Sequence, residues 1–477
     1  MRKINGRPFF RLFPFLMILV YMLMFSGSLQ AKPWITAYVG DWWLGWNGEG
    51  TMPISKIDFK GMTVCDYMSM SPTMTAPFFD STGNTYPATL LAAAANAAGV
   101  KCTITVGSWN TEAAFMNATD SVNLPVFVGD LTSFVKGCGL NGVDIDWEPL
   151  RVQDSTQWKS LIIALRKALP SPQYLITVTG GDGSPYSAYA SVQDDVDQIN
   201  IMTYDMGYPA GGYNACYAGA IYSAGHVDPY NNTTPVASCD YYLSLFEQAG
   251  IKKSKLGIGC EPGGELWTGI SQPYSSIAGV KSFQADVPYD TIMARYYKPS
   301  LYHWDNAAKA AYLSFDTTDT ADDWFLSYDD TTTLNAKLAF VDSSGIGGII
   351  IYEIGMSYDQ ATGGNPFLEA AQMFLSDTST AAIDNTPPVP SRYSLAQNYP
   401  NPFNPTTVIN YRIPDEKHVT LTIYDALGRR IETLVNGMQS PGLHQVIFDG
   451  SNLASGVYFY RLDAGGFIET KKLVLLK

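Results

Sequence analysis

Three carboxylates alternate with apolar residues in the segment GVDIDWEPL, residues 142–150. Asp144, Asp146 and Glu148 occupy every second position. Successive side chains of a β-strand point to opposite faces, so these acids would share one face with roughly 6.6–7 Å between neighbours. Like charges at that spacing perturb one another's pKa values, and perturbed carboxylates are candidates for acid–base chemistry. The alternative is a solvated edge strand whose acids have no chemical role.

The elements that must position this row are short apolar runs separated by helical patterns. Strands that alternate with helices indicate a parallel sheet. Eight such units predict a (β/α)8 barrel, an α/β fold that tolerates insertions. A doubly wound open sheet is the alternative, although no Gly-rich nucleotide loop follows the first run. The eight runs span 34–43, 61–68, 101–109, 142–148, 174–181, 198–205, 255–262 and 346–354.

Polar residues gather where the predicted strands end, and in a barrel the chemistry lies at the C-terminal ends of the strands. Five runs are followed by or end in an acid: Asp41, Asp66, Glu148, Asp205 and Glu353. Two long loops, after the sixth and seventh runs, are expected to wall one side of the resulting cleft.

The chain divides into four predicted segments. Residues 1–31 resemble a signal peptide: four cations precede an apolar run that is shorter than a membrane span, and small residues offer a cleavage site at Ala31. A retained membrane anchor is the alternative. The barrel covers 32–376, and 377–392 is a Ser/Thr/Pro linker. Residues 393–477 then change to a period of two, which predicts a small all-β sandwich whose first segment is too Pro-rich for a strand.

Composition excludes some functions. The hydrophobic content of 46% suits a globular protein with a sizeable core, and the net charge of −14 disfavours nucleic acid as a partner. Of the six cysteines, only Cys216 and Cys239 lie in one loop where they could pair, and the sequence leaves that pairing open. Without a CxxC motif or a histidine cluster, we expect no metal and no cofactor.

The quoted stretch resembles the DGxDxDxE signature of family 18 glycoside hydrolases, the chitinases and endo-β-N-acetylglucosaminidases. The resemblance covers roughly residues 34–375, with supporting motifs elsewhere in the chain. These motifs are NGVDIDWE (141–148), TVGS (105–108), MTYD (202–205), YDDTTTLNAK (328–337) and GGIIIYE (347–353).

The resemblance implies a substrate-assisted reaction without a carboxylate nucleophile. It implies that Glu148 is the general acid, with a pKa raised by the charge of Asp146 beside it. Asp146 would orient the 2-acetamido group of the substrate, and Asp144 would share the proton behind it. Tyr204 would donate its hydroxyl to the acetamido oxygen.

Other residues are expected to line the sugar site. The resemblance places Met202 and Asp205 along it and Tyr38 beneath it. Trp109 and Trp43 follow strand ends and could line the cleft, with core packing as the alternative.

Two departures from the family pattern stand out. Asn141 replaces the first aspartate of the signature, where we expect a modest effect. Tyr352 replaces the tryptophan that usually floors the central subsite, so weaker binding or altered specificity is expected, with ordinary barrel packing as the alternative.

The C-terminal segment, from LAQNYPNPFNP to KKLVLLK, resembles the sorting domain of the type IX secretion system. This implies export across the outer membrane of a Gram-negative cell, no stable membrane span, and the secretion machinery as a partner. A carbohydrate-binding β-sandwich is the alternative.

Three functions follow for the whole chain. The first is a secreted, endo-acting hydrolase of β-1,4 bonds at N-acetylglucosamine in chitin or chitooligosaccharides. The second is an endo-β-N-acetylglucosaminidase on N-glycans, and the third is a chitinase-like lectin that binds such sugars without cutting them. Loss of the glutamate is the usual sign of an inert relative, and Glu148 is present.

Overall fold

A computed structural model describes residues 33–476 with eight gaps, and the expected signal peptide and linker lie outside the described residues. The gaps are 46, 82–83, 208, 210–213, 230–231, 318–321, 377–392 and 399–400.

Seven parallel strands come first, each overlapping one of the predicted apolar runs, with β2 alone extending past its run, to Met70. They are β1 (Trp34–Gly40), β2 (Val64–Met70), β3 (Lys101–Ser108), β4 (Gly142–Trp147), β5 (Leu175–Gly180), β6 (Gln198–Ile201) and β7 (Leu256–Cys260).

A five-stranded antiparallel sheet is inserted after β7, where only a long loop was expected. It runs in the order β10-β11-β12-β8-β9. Its strands are β8 (Gly263–Thr268), β9 (Ser282–Pro288), β10 (Tyr302–Asp305), β11 (Ala310–Phe315) and β12 (Trp324–Tyr328). Side chains of this sheet share a small core with the loop after β6, in which Ala215 and Tyr217 pack with Trp267 and Phe325. The loop after β6 and the inserted sheet therefore pack as one unit.

The eighth strand, β13 (Gly348–Ile351), pairs with both β1 and β7 and closes the barrel in the order β1-β13-β7-β6-β5-β4-β3-β2. The closed parallel sheet confirms the (β/α)8 fold and rules out the open sheet. Its strands are apolar and buried on both faces, as a sheet covered by helices requires.

Helices cover the outside of the barrel. They are α1 (Thr85–Ala97), α2 (Glu112–Ala118), α3 (Leu124–Gly137), α4 (Ser155–Ala168), α5 (Tyr186–Val192), α6 (Cys239–Gln248), α7 (Thr331–Ser344) and α8 (Pro366–Ser376), with a helical turn at Asp41–Leu44. In α4, Trp158, Leu161, Ile162 and Leu165 are buried at the spacing of one helical face. Among the described residues, no helix has the length and apolarity to cross a bilayer.

The C-terminal segment forms two antiparallel sheets, β14-β15-β18 and β17-β16-β19-β20, around a core of their own. The strands are β14 (Ser394–Leu395), β15 (Thr406–Ile413), β16 (Lys417–Asp425), β17 (Arg430–Gln439), β18 (Gly442–Asp449), β19 (Gly456–Asp463) and β20 (Ile468–Leu475). The all-β prediction is confirmed. The Pro-rich start, which was expected not to form a strand, contributes only the two residues of β14.

All six cysteines are free and buried. The possible disulfide between Cys216 and Cys239 is therefore not formed. A buried thiol behaves as a small hydrophobic side chain, which fits the positions of Cys65, Cys102 and Cys260 in barrel strands.

Candidate active site

The row of acids lies on β4, which pairs with β3 on one side and β5 on the other. The edge-strand alternative is therefore wrong. Asp144 is 0% exposed and Asp146 6%, while Glu148 follows the last residue of the strand and is half-buried. Since the acids alternate along one strand, the row runs from the barrel interior to its C-terminal mouth.

Hydroxyl groups from neighbouring strands hold the two buried aspartates. Thr179 Oγ1 on β5 donates to Asp146 Oδ1 at 2.6 Å. Thr177 Oγ1 donates to Asp144, and Tyr38 on β1 donates to the other oxygen of Asp144 at 2.9 Å. Neither threonine was predicted from the sequence, although Thr177 and Thr179 alternate in YLITVTGG as the acids do and so face the same way.

A glycine lets β3 approach the row closely. Gly107, in the TVGS motif, has a φ of +121°, and a Cβ placed on it would meet the carbonyl oxygen of Asp146 at 1.9 Å. Any larger residue would push β3 away from β4 at the level of Asp146.

The acids of the row have raised pKa values, chiefly because burial disfavours their charged forms. Burial raises the pKa of Asp144 to about 7, against the opposing hydrogen bond from Thr177. Burial, followed by the negative charge of Glu148, raises the pKa of Asp146 well above its usual value. Burial therefore makes both aspartates harder to ionise than exposed carboxylates.

Glu148 also has a raised pKa, as a general acid requires, but the expected cause was wrong. Burial is the main cause, and the charge of Asp205 adds to it. The hydrogen bond that Glu148 shares with Asp146 lowers the pKa instead, because it favours the ionised glutamate.

Asp66 was expected at a strand end, and that placement was wrong. It lies in the middle of β2 and is 0% exposed, with hydroxyls of Thr103 and Thr105 donating to its two oxygens. Burial and then the charge of Asp144 raise the pKa of Asp66. Asp66 therefore extends the acidic row deeper into the barrel, away from the C-terminal ends of the strands.

Three tyrosines lie together beside the row. The rings of Tyr204 and Tyr352 stack with centroids 5.2 Å apart and planes 8° apart. Tyr38 meets Tyr352 edge-on at 5.8 Å. Tyr204 and Tyr352 are half-buried, so each retains an accessible part, whereas Tyr38 is buried. The structure thus brings Tyr38, Tyr204 and Tyr352 into one aromatic cluster.

The remaining predicted residues lie around this centre at different depths. Met202 directly follows β6 and is half-buried, and Asp205, three residues on, is exposed. Trp109 lies just beyond β3 and is 67% exposed. The turn that contains it is close to Glu148, because the backbone N–H of Thr111 donates to the carbonyl oxygen of Glu148 at 3.0 Å. Core packing is therefore wrong for Trp109.

Trp43 and Glu353 form a structural pair at the strand ends. Trp43 Nε1 donates to Glu353 Oε1 at 2.7 Å, and Trp43 is partly buried against the core. The other oxygen of Glu353 accepts from the backbone N–H of Gly355 at 2.9 Å. These bonds occupy the Glu353 carboxylate and tie β13 to the turn after β1.

Asn141 lies at the opposite end of β4 from Glu148. Its side-chain oxygen accepts from the backbone N–H of Cys102 at 2.7 Å, and its carbonyl accepts from that of Leu175 at 2.8 Å. An amide oxygen makes the same contact to Cys102 that a carboxylate would, so the asparagine fits the position.

Comparisons with known proteins agree with this arrangement. Residues 38–357 match the family described as Glycosyl hydrolases family 18, and residues 397–476 match the Secretion system C-terminal sorting domain. Chitinase A1 of Niallia circulans is 28% identical over 289 residues, which are 54% of this chain and 40% of that protein. The chain thus spans less than half the length of this curated relative.

Solved structures support the fold. The Group IV chitinase of Ostrinia furnacalis has a TM-score of 0.61 at 18% identity, with 72% of this chain and 100% of that one covered. The chitinase-like agglutinin RobpsCRA of Robinia pseudoacacia has a TM-score of 0.58 at 18% identity, with 71% and 98% covered. One barrel architecture therefore occurs in proteins described as an enzyme and as an agglutinin.

Proposed function

The chain belongs to family 18 of the glycosyl hydrolases, and we propose that it is a secreted, endo-acting, retaining hydrolase of β-1,4 bonds at N-acetylglucosamine in chitin or chitooligosaccharides. The observation that carries this proposal is the row Asp144–Asp146–Glu148, held by hydroxyl donors and ending at the barrel mouth. The raised pKa of Glu148 supports its role as the acid.

In the proposed first step, the carbonyl oxygen of the substrate's own 2-acetamido group attacks the anomeric carbon. The bond to the leaving oxygen breaks as Glu148 gives that oxygen its proton. Asp146 accepts the acetamido N–H and, as a carboxylate, stabilises the cationic oxazolinium ring. Asp144 takes part by sharing the proton that Asp146 gives up.

In the second step, Glu148 acts as a base and removes a proton from water. The water oxygen attacks the anomeric carbon from the other face, and the bond to the acetamido oxygen breaks, which opens the oxazolinium ring. Two inversions at the anomeric carbon keep the β configuration. Tyr204 would hold the acetamido oxygen through its hydroxyl. Tyr352 and Trp109 would contact sugar faces, for which their accessible rings are suited.

Exchange of Glu148 for glutamine tests the acid. The amide keeps the shape of the side chain and removes only the proton, so binding of chitooligosaccharides should stay near normal while turnover falls by several orders of magnitude. Binding is measured by calorimetry, and turnover by chromatography of the products. A Glu148→Gln variant that hydrolyses at the wild-type rate would show that another residue is the acid.

The same product assay separates the alternative functions. Wild-type protein is given a chitooligosaccharide and a high-mannose glycopeptide side by side. Cleavage of the glycopeptide alone would identify an endo-β-N-acetylglucosaminidase. Binding without cleavage of either substrate would identify a lectin.

The C-terminal sorting domain implies secretion or display at the cell surface. We further propose that the cell is Gram-negative and that, after type IX export, the segment beyond the linker is removed or attached to the surface. Mass spectrometry of the native host's culture supernatant tests this. A soluble product that still ends at Lys477 would contradict the assignment.

A further inference from the structure

A second group of acids lies beside the proposed sugar site. Asp205, Glu261 and Asp286 each contribute a carboxylate oxygen, and these oxygens all lie within 4.8 Å of one another. The three residues come from the segments after β6 and β7 and from β9. The inserted sheet therefore meets the barrel at this group, which we term the acidic cluster.

Glu261 is the unusual member of the cluster. It is 1% exposed, and within the described residues neither of its carboxylate oxygens has a hydrogen-bond partner. Burial of an unpaired carboxylate is costly, so such a group needs a proton or a cation. Because its oxygen lies within reach of both Asp205 and Asp286, the unpaired carboxylate is directed into the cluster.

A nearby buried lysine is already paired. Lys337 Nζ lies 2.6 Å from Asp329 and 2.8 Å from the carbonyl oxygen of Gly259. Asp329 in turn accepts from the backbone N–H of Glu261 at 3.2 Å. The lysine therefore balances Asp329 rather than the carboxylate of Glu261.

The charges that surround Glu261 add to the repulsion. After burial, the pKa of Glu261 is raised by the negative charges of Asp205, Asp286, Glu265 and Asp329. Glu265 is itself 1% exposed and has one oxygen without a hydrogen-bond partner in the described structure. The site therefore concentrates negative charge beyond its three members.

The backbone of β9 directs Asp286 toward this point. The pairing of β8 with β9 is irregular: Gly264 faces Val287 and Leu266 faces Gln284, so Glu265 lies opposite two residues. Such a bulge re-aims a side chain. Asp205 and Asp286 are exposed, so an ion could enter from the solvent of the cleft while Glu261 closes the site from within.

We propose that Asp205, Glu261 and Asp286 bind a divalent cation of the hard, oxygen-preferring class, Ca²⁺ in particular. Ca²⁺ binds oxygen at about 2.3–2.6 Å, so two ligands of one ion lie at most about 4.6–5.2 Å apart, which the oxygen spacing of the cluster matches. Three carboxylates offer up to six oxygens, and Ca²⁺ takes 6–8. The all-carboxylate ligand set disfavours Zn²⁺, which prefers nitrogen and sulfur.

The ion would tie three elements together. It would bridge the segment after β6, the end of β7 and the inserted sheet, and so fix Asp205 at the edge of the sugar site. This proposal does not depend on the reaction, because binding of the cation can be measured in the absence of any sugar.

The test is calorimetric titration of CaCl₂ into the full chain after removal of metals with EDTA. We expect one saturable site with a Kd of about 10⁻⁴–10⁻³ M, the range of extracellular calcium modules. Saturating CaCl₂ should also raise the Tm by roughly 1–4 °C, since the ion binds only the folded state. NaCl at matched ionic strength controls for screening.

Three variants make the assignment specific. Glu261→Gln and Asp286→Asn should each weaken CaCl₂ binding at least about tenfold, because ligand charge sets affinity. Glu369→Gln is the matched control: it removes the same charge from a half-buried acid outside the cluster and should leave binding unchanged. Asp286 is exposed, so Asp286→Asn remains informative even if a change at the buried Glu261 impairs folding.

Two results would overturn the proposal. One is the absence of a saturable site up to about 10 mM CaCl₂, well above the expected Kd. The other is equal affinity in the wild type and in both cluster variants. Neither result bears on hydrolysis, which is measured separately with sugar substrates.

Discussion

Replacement of Thr179 by valine removes one donor from the acidic row and keeps the shape of the side chain. Thr179 Oγ1 donates to the buried Asp146 at 2.6 Å and lowers its pKa, because the bond favours the ionised form. A hydrogen bond to a charged group is worth about 1.5–3 kcal/mol. One pKa unit corresponds to about 1.36 kcal/mol, so the pKa of Asp146 should rise by about 1–2 units.

The sign of the effect follows from the proposed role of Asp146. The residue must lose its proton to accept the acetamido N–H and stabilise the oxazolinium ring. The acidic limb of the kcat/KM profile should therefore move up by about 1–2 pH units in Thr179→Val. Below the limb, kcat/KM should fall by about 10–100-fold, and above it the two enzymes should converge.

The assay is kcat/KM against pH on a fluorogenic chitooligosaccharide. Thr177→Val is the matched control, because Thr177 donates to Asp144, one step deeper in the row. Its limb should move less, since Asp144 does not contact the substrate in the proposed mechanism. An unmoved acidic limb in Thr179→Val would show that Asp146 does not set it, and a larger shift in Thr177→Val would assign the titration to Asp144 instead.

Three further outcomes are expected. Cellulose oligomers and fully deacetylated chitosan should not be hydrolysed, because they lack the attacking carbonyl. Proton NMR of chitooligosaccharide cleavage should show the β-anomer of the product first, and an initial α-anomer would exclude the substrate-assisted route. In steady-state kinetics, Trp109→Ala should raise KM and leave kcat within about twofold, since the exposed ring would act in binding alone. A variant with a much lower kcat and an unchanged KM would contradict this. Thermal stability should decrease as pH rises from about 4 to about 7, because native Asp144, with a pKa of about 7, still binds a proton that the unfolded chain has released. A Tm, measured by calorimetry, that rises over this pH range would contradict the raised pKa of Asp144.

The barrel was predictable because each of its strands coincides with a short apolar run and helical patterns lie between most of these runs. The inserted sheet was not, since it interrupts the alternation between β7 and β13. Its strands β8, β10 and β12 have four to six residues each, and a five-residue strand such as WFLSY gives little periodicity from which to distinguish it from a loop. Packing with the loop after β6 stabilises these strands, and the local sequence does not report that contact.

The acids of the site could be named from the sequence, but their partners depended on strand register. Thr177 faces Asp144 only because β5 pairs with β4 in the observed register. The same limit explains the error about Glu148, where the sequence shows the adjacent charge of Asp146 but not the burial that dominates. Asp205, Glu261 and Asp286 belong to three separate segments of the chain, so their proximity could be seen only in the fold.

The stability cost of the row bears on the choice between an enzyme and a lectin. Asp66, Asp144 and Asp146 are buried, and burial raises the pKa of each. A site that only bound sugar could use neutral side chains there, because stacking and hydrogen bonds to hydroxyls need no deep carboxylates. The proposed reaction does need them, since the acid at the mouth must hold a proton to donate and its neighbour must stabilise the positive charge of the oxazolinium ring. Retention of the complete row, with a hydroxyl donor for each buried aspartate, therefore favours the hydrolase over the lectin.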